Sequence, residues 1–410
     1  MKARQIFLAM LRDVISGKSI TEKEKIELFE TVTEEEWKKI LSMGEMQKVT
    51  AIMFESLKNH PDLKVPEFVR RYLKQRAFQV SMSYYQMIAS VRQIVELLNE
   101  QNIDYYLLKG VGLSSMYPKE EIRSFGDIDI YIPKKEDLEK AQKIFTDREC
   151  EVEHTFSDCH TVYIYKGKGT VCQVEVHWKL TSDFNNGTID EKLEEIYTLA
   201  DGTNYTLVHP MMTEVRILPT TINILYLLSH MLKHFMSSGF GMKLFCDWSV
   251  FWNQHGEQVD TEQFLDWIEE LHLENFLYAV TGVCIKYLGL SKEKCPWMEG
   301  LKKNERLIED LLEDVMIGGE HGKYDSTRML ITSRKPSLKT YCLELHRQMK
   351  RRFKKGRDYV ILWPILWICT GIAFLYNNMT LRNVSTKKIM DTNKRRNLLV
   401  QKLNVFELKK

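Results

Sequence analysis

The chain predicts an α+β fold, a small mixed sheet flanked by N- and C-terminal helical regions. Three observations carry this. Over residues 1–100 apolar side chains recur every three or four positions, as in Ile6, Met10, Leu11 and Val14, and later Ile88, Val91, Ile94, Val95 and Leu98. Between 101 and 180 that spacing gives way to short apolar or alternating runs bounded by Gly and Pro. Helical spacing then returns over 190–345. The expected units are a helical region at 1–100, an α/β core at 101–180, a second helical region at 181–346 and a basic, apolar tail at 347–410.

Each element has a local reason. Thr33-Glu-Glu-Glu36 before Trp37 is a capping-box start, and Pro61 and Pro66 mark a loop. Tyr105–Lys109 is an apolar run ending at Gly110, which predicts a buried strand and a turn. A short helix then runs through Met116 to Pro118. Residues 127–132 predict a second strand. After Pro133 a helix follows, with Leu138, Ala141, Ile144 and Phe145 on one face. Three more strands are expected at Glu151–Phe156, Thr161–Tyr165 and Thr170–Trp178, with Lys166-Gly-Lys-Gly169 as a hairpin turn. Thr220–His234, Lys243–Trp252, Thr261–Glu270 and Glu305–Met316 are the clearest later helices. No internal repeat or low-complexity segment interrupts them.

At 410 residues the chain can bury two or three cores, and 44% apolar with 28% charged residues is ordinary for a folded protein. Its net charge of +2 hides an asymmetry. Residues 347–410 hold 16 of the 58 basic residues and 3 of the 56 acidic ones, leaving 42 basic and 53 acidic on the rest. An acidic body carries a basic tail. Eight cysteines stand apart at 150, 159, 172, 246, 284, 295, 342 and 369, without a CxxC. This spacing fits reduced thiols in the cytoplasm, not structural zinc. The N-terminal MKARQIFLAMLRDVISGKSI is interrupted by Arg12 and Asp13 and has no small-residue cleavage site, so it reads as a helix.

The chemistry centres on Arg123-Ser-Phe-Gly-Asp-Ile-Asp-Ile-Tyr-Ile-Pro133. On a strand, residues i and i+2 share a face about 6.6 Å apart. Asp127 and Asp129 therefore face one way, and Ile128 and Ile130 the other. Two ionised groups side by side in an apolar strand repel and are costly to bury. A divalent cation relieves both costs, and magnesium is the hard ion that takes carboxylate oxygens while keeping positions for phosphate. Glu175 sits likewise in Gln173-Val-Glu-Val-His-Trp178, with Val174 and Val176 on its opposite face. A third carboxylate brought to the pair makes a two-ion site. Upstream, Leu107-Leu-Lys-Gly-Val-Gly112 followed by Ser114 and Ser115 is a strand–glycine turn suited to phosphate oxygens. Lys109 can neutralise triphosphate charge, and Arg123 either does the same or forms a salt bridge to the acidic body.

Taken together, these residues resemble the polymerase-beta-like nucleotidyltransferase superfamily. More narrowly, Leu108-Lys-Gly, Tyr117-Pro, Arg123, Gly126-Asp-Ile-Asp129, Glu175-Val-His-Trp178 and His230-Met-Leu-Lys-His234 with Asp247 resemble a bacterial family of uncharacterised nucleotidyltransferases, over roughly residues 30–255. The resemblance implies magnesium-dependent transfer of a nucleoside monophosphate from a nucleoside triphosphate such as ATP to an acceptor hydroxyl. It makes Asp127, Asp129 and Glu175 metal-binding and catalytic. Lys109, Gly110, Gly112, Ser114, Ser115 and Arg123 become nucleotide-binding, and Gly110 matches the family's turn glycine. Gly110-Val-Gly112 stands where the wider superfamily usually has Gly-Gly or Gly-Ser.

Other residues divide between substrate and packing. His230 and His234 share a helix face, but no glutamate completes a zinc-protease motif. Lys233 or His234 near substrate, with Asp247 orienting a partner, competes with plain helix packing. His177 shares a face with Glu175 and can touch substrate or bond to backbone, while Trp178 suits the core. Gly318-Gly-Glu-His-Gly322 lacks P-loop spacing and reads as a connector.

In the tail, Arg347–Arg357 precedes 18 uncharged residues, Tyr359–Tyr376, broken by Pro364 and Gly371. Three arrangements fit: a short transmembrane anchor, peripheral attachment to anionic lipid at the inner face of the membrane, or a helix buried on the body. Nucleic acid is not an expected partner, since aromatic interleaving is slight. Two rival functions are a glycosyltransferase holding a nucleotide-sugar through a D-x-D metal, and a catalytically silent relative that binds or regulates a partner. The helical first 100 residues count against the former, and the intact acid triad against the latter.

Overall fold

Among the described residues five α-helices and one π-helical turn, Lys25–Phe29, precede the first strand. In the computed structural model the described residues are 2–153, 159–167, 170–180, 184, 187–201, 206–209, 212–320, 327–328, 338–353, 356, 358–377, 380 and 385–405. The helices are α1 (Lys2–Ser16), α2 (Glu22–Glu24), α3 (Glu34–Met46), α4 (Thr50–Asn59) and α5 (Glu67–Glu100). The Thr33 capping box forms: its hydroxyl accepts from the Glu36 amide at 3.2 Å, and the Glu36 carboxylate accepts from the Thr33 amide at 2.9 Å. Pro66 occupies the N-cap of α5, where its fixed φ suits a helix start. Without an internal Pro or Gly, α5 runs unbroken for 34 residues, about 51 Å at the usual rise.

The core follows as β1 (Tyr106–Leu108), α6 (Gly110–Ser114), β2 (Asp127–Tyr131), α7 (Lys135–Asp147), β3 (Glu151–Glu153), β4 (His160–Gly167) and β5 (Thr170–His177). The expected strand over Glu151–Phe156 and the hairpin tip at 168–169 extend outside the described residues. The five strands form one mixed sheet in the order β1-β2-β5-β4-β3. Among the described residues only β2 and β5 are parallel, paired in the register Asp129 with Glu175 and Ile130 with Val176. That pairing requires the long α7–β3–β4 crossover.

Period-two alternation divides the sheet's faces. Ile128, Ile130, Val174 and Val176 join Phe145 of α7 and Ile88, Val91, Ile94 and Leu98 of α5 in one core. Tyr106, Leu108 and Tyr131 join a second, larger core. This core takes Val69, Leu73 and Ala77 from the first half of α5, so the two halves of that helix serve different cores. It also unites α1 residues such as Ile6 with Phe245 and Trp248 near 250. The N- and C-terminal helical regions share it.

After the sheet come α8 (Gly187–Thr198), β6 (Thr206–His209), β7 (Met212–Arg216), α9 (Thr220–Met236), α10 (Met242–His255), α11 (Thr261–Glu270), α12 (Glu274–Tyr287) and α13 (Glu305–Gly318). The antiparallel β6–β7 pair adds two short strands to the second helical region. Four- and five-residue strands are too short to announce themselves by period. Gly318 ends α13 and Gly319 follows at φ +62°, while 321–322 of the expected connector lie outside the described residues.

The tail comprises α14 (Leu338–Arg352), α15 (Trp363–Tyr376) and α16 (Thr386–Leu403). Burial on the body holds for α16, not for the apolar segment, for which it is one of the three arrangements the sequence allows. Ile389, Val400 and Leu403 are buried. Arg396 reaches Asp314 at 3.4 Å and donates to the carbonyls of Phe235 and of Ser237. On α15, by contrast, Ile365, Ile368 and Ile372 are each at least 60% exposed. A spanning anchor is also corrected: no helix among the described residues is long and apolar enough to cross a membrane.

Candidate active site

The acids meet because of strand register. Asp127 and Asp129 lie on one face of β2, and the parallel neighbour β5 sets Glu175 directly beside Asp129. Ligand atoms of Asp129, Glu175 and His177 all lie within 4.8 Å of one another, while Asp127 is on the same face but outside that tight group. Asp127 lines the same cavity, together with Lys109, Gly110 and Lys233.

Two cations answer the acids. The Lys109 amine sits 2.9 Å from Asp129 Oδ1. Its backbone adopts φ +46°, a conformation that L-residues other than Asn and Asp seldom take and that costs on the order of 1–3 kcal/mol. The strand–helix corner holds it there. Gly110 follows, where an added Cβ would come within 3.3 Å of the Phe125 ring. His177 Nε2 lies 3.2 Å from Asp129 Oδ1 and 3.3 Å from Glu175 Oε2. Burial opposes charge on that ring, but hydrogen bonds to Asp129, Cys159 and Glu175 outweigh it and raise its pKa to about 10.

The carboxyls respond unequally. Burial pushes Asp129 up, yet the Lys109 charge and the His177 hydrogen bond leave it well below the usual range. Glu175 behaves alike: burial raises it, and His177 brings it below its ordinary value. Asp127 is raised, first by the charge of Asp129 and then by its own burial. Negative charge is thus crowded at Asp127, where no neighbour compensates it fully. Three hard oxygen donors with a residual anionic excess fit magnesium. Cys159 and His160 approach His177 from the other side, giving a softer donor group contiguous with the first.

Helices α9 and α10 close the cavity opposite the sheet. His230, Lys233 and His234 line it from α9, so the one-turn spacing does bring these three side chains to one wall. The two histidine rings stand 4.4 Å apart, edge to face. Neither belongs to a three-donor metal group among the described residues. Burial and the nearby Lys109 charge lower the Lys233 pKa, and no carboxylate among the described residues pairs with it. Lys243 of α10 also lines the cavity, paired with Glu320 at 3.0 Å.

Several expected phosphate ligands are engaged elsewhere. Arg123 is buried and forked onto Asp247, with Nε to Oδ1 at 2.7 Å and Nη2 to Oδ2 at 2.9 Å. Its Nη1 donates to the Gly110 carbonyl at 3.2 Å, and the Tyr117 hydroxyl donates to Asp247 at 2.6 Å. This guanidinium touches the cavity edge, but its hydrogen bonds fix the glycine turn to α10. Asp247, expected to orient a partner, orients Arg123.

Gly112, Ser114 and Ser115 do not line the cavity. A Cβ at Gly112 would meet Ile217 at 3.1 Å, so this glycine permits close packing. The Ser114 hydroxyl donates to the Val111 carbonyl and that of Ser115 to the Gly112 carbonyl. In a one-turn helix such i−3 carbonyls are close acceptors for a serine hydroxyl. Trp178, expected in the core, is half-buried.

Residues not singled out in the sequence also reach the site: His160, directly across the β4–β5 ladder from His177, and Tyr226, Lys243 and Glu320. His160 could have been found from the hairpin register. Glu320 had no signal beyond lying within a glycine-rich connector.

Comparison with curated proteins and with solved structures returns no match. A family model described as an uncharacterised nucleotidyltransferase matches residues 33–289, which span every side chain of the cavity except Glu320. With acids, turn and helical wall all inside that match, the chain belongs to this nucleotidyltransferase family.

Proposed function

We propose that the protein is a magnesium-dependent nucleotidyltransferase that moves a nucleoside monophosphate from a nucleoside triphosphate to an acceptor hydroxyl. The observation that carries this reading is the parallel register of Asp129 with Glu175, which turns three acids from two strands toward one cavity. Asp127, Asp129 and Glu175 would hold the ions. When bound, magnesium supplies positive charge at the attacking and leaving oxygens.

The chain's own groups do the rest. Lys233, a half-buried amine on the opposite wall, offers its charge to the triphosphate. Glu175, kept ionised beside His177, accepts the proton of the acceptor hydroxyl. The acceptor oxygen forms its bond to the α-phosphorus as the bond to pyrophosphate breaks, and pyrophosphate carries away the electron pair. Lys109 holds Asp129 and so fixes the angle between β2 and the glycine turn. Cytoplasmic residence accords with eight free thiols.

The test is incubation of the purified protein with magnesium, labelled nucleoside triphosphates and cell extract. Pyrophosphate should be released and one extract component labelled. Labelling from nucleotide-sugars instead would replace this reading with the glycosyltransferase one, and undiminished turnover in Asp127→Asn would remove the assignment of the acids.

A further inference from the structure

Between Arg347 and Arg357 seven of eleven residues are basic and none is acidic. The uncharged run Tyr359–Tyr376 follows at once, and its helix folds back on the basic one. Aromatic contacts make the fold-back. Trp363 stacks edge-on against His346 at 4.6 Å, Lys350 lies over the Trp363 ring at 5.5 Å, and Trp367 Nε1 donates to His346 Nδ1 at 3.1 Å. With Trp363 and Thr370 turned inward, the other side of α15 faces solvent. Ile361 is 86% exposed, and Ile365, Ile368, Ile372 and Tyr376 follow at spacings of four, three, four and four. They form one apolar stripe along the helix.

An aliphatic stripe this long is unusual on a soluble surface and marks a docking face. Its chemistry selects the partner. A second copy would bring two basic clusters together across a two-fold axis, where like charges repel. Nucleic acid would meet isoleucines, because the tryptophans are used within the hairpin. An anionic bilayer satisfies both parts, lipid tails taking the isoleucines and headgroups the cations. At 14 residues, about 21 Å, α15 is too short to cross a hydrocarbon layer of about 30 Å, so it lies in the plane.

We propose that the α14–α15 hairpin is a docking device for anionic membranes, with Ile365, Ile368 and Ile372 entering the acyl boundary and Lys350 and Arg352 meeting phosphate headgroups. It is independent of the chemistry assigned to the cavity. The experiment is flotation of the full chain with phosphatidylcholine vesicles containing about one-third phosphatidylglycerol, and with phosphatidylcholine alone. Binding should be about tenfold stronger on the anionic vesicles and weaken with added salt. Replacing Ile365→Glu, Ile368→Glu and Ile372→Glu together should reduce it at least about tenfold. These side chains are exposed, so the thermal midpoint should be unchanged. Lys350→Glu with Arg352→Glu should lose the preference for anionic lipid. Absence of flotation on anionic vesicles overturns the proposal, as does equal flotation of the triple variant. A wild-type dimer that becomes monomeric in the triple variant, with neither floating, overturns it in favour of a second copy.

Discussion

Two buried clusters of charge lie in adjoining parts of this molecule, and they are balanced differently. Around Asp247, one carboxylate meets one guanidinium in a two-pronged pair, completed by the Tyr117 hydroxyl and the Gly110 carbonyl. Nothing in it is left over. Around Asp129, three carboxylates share Lys109 and His177, and Asp127 carries the strain of its neighbour's charge. A complete ion pair supports geometry, whereas an incomplete one leaves charge that a ligand could answer. The contrast separates scaffold from chemistry more sharply than residue type does, because both clusters contain aspartate and a long cation.

The widest separation should appear with Asp129→Asn. Turnover should fall on the order of 10³-fold with the far-UV circular dichroism spectrum intact. Retention of most activity would put Asp129 in the scaffold class. Asp247→Ala should do the reverse. It strands a buried guanidinium, and denaturant unfolding should report a loss of about 3–5 kcal/mol. A change below about 1 kcal/mol would break the comparison from the other side.

Magnesium sharpens it further. At about 100 times its dissociation constant it should stabilise the wild type by about 2.7 kcal/mol, seen as a raised thermal midpoint. Asp127→Asn should show little of that gain, and Asp247→Asn, once folded, should keep it. Lys233→Gln should raise KM for the triphosphate about tenfold with kcat nearly unchanged, as expected of a ground-state phosphate contact. A drop in kcat alone would instead involve Lys233 in the reacting geometry.

The smallest effect carries the clearest sign. The folded-state pKa of Asp127 is above its ordinary value, so ionisation of this group opposes folding without metal. That penalty is absent at pH below the ordinary carboxylate range and grows as pH rises from there toward the folded value. Metal-free Asp127→Asn should therefore match the wild type in acid and be slightly more stable near neutrality. Lower stability near neutrality would show that Asp127 is already compensated.

Much of this was legible in local pattern. Alternation of Asp and Ile over 127–130 needs only the strand's period, and Glu175 between Val174 and Val176 repeats it. The Thr33 capping box formed as read. What local pattern does not carry depends on distance along the chain. A salt bridge to the acidic body is one of the two roles the sequence allows Arg123, but Asp247, 124 residues away, carries no mark as its partner. Ser114 and Ser115 looked like phosphate ligands because the one-turn length of α6, which gives their hydroxyls to its own carbonyls, is set by packing. The apolar tail segment was readable as apolar, but which tail helix docks was settled by Arg396 finding Asp314 on a remote element.

The unbroken α5 sets the smallest portion that can be transplanted. Because its second half forms the floor beneath Ile128 and Val174, a fragment cut at residue 101 would open the greasy underside of the sheet to water. Grafting the acid-bearing strands into another scaffold must begin near Glu67, and must carry the rod whole, since its first half would otherwise lose its own mooring in the larger core.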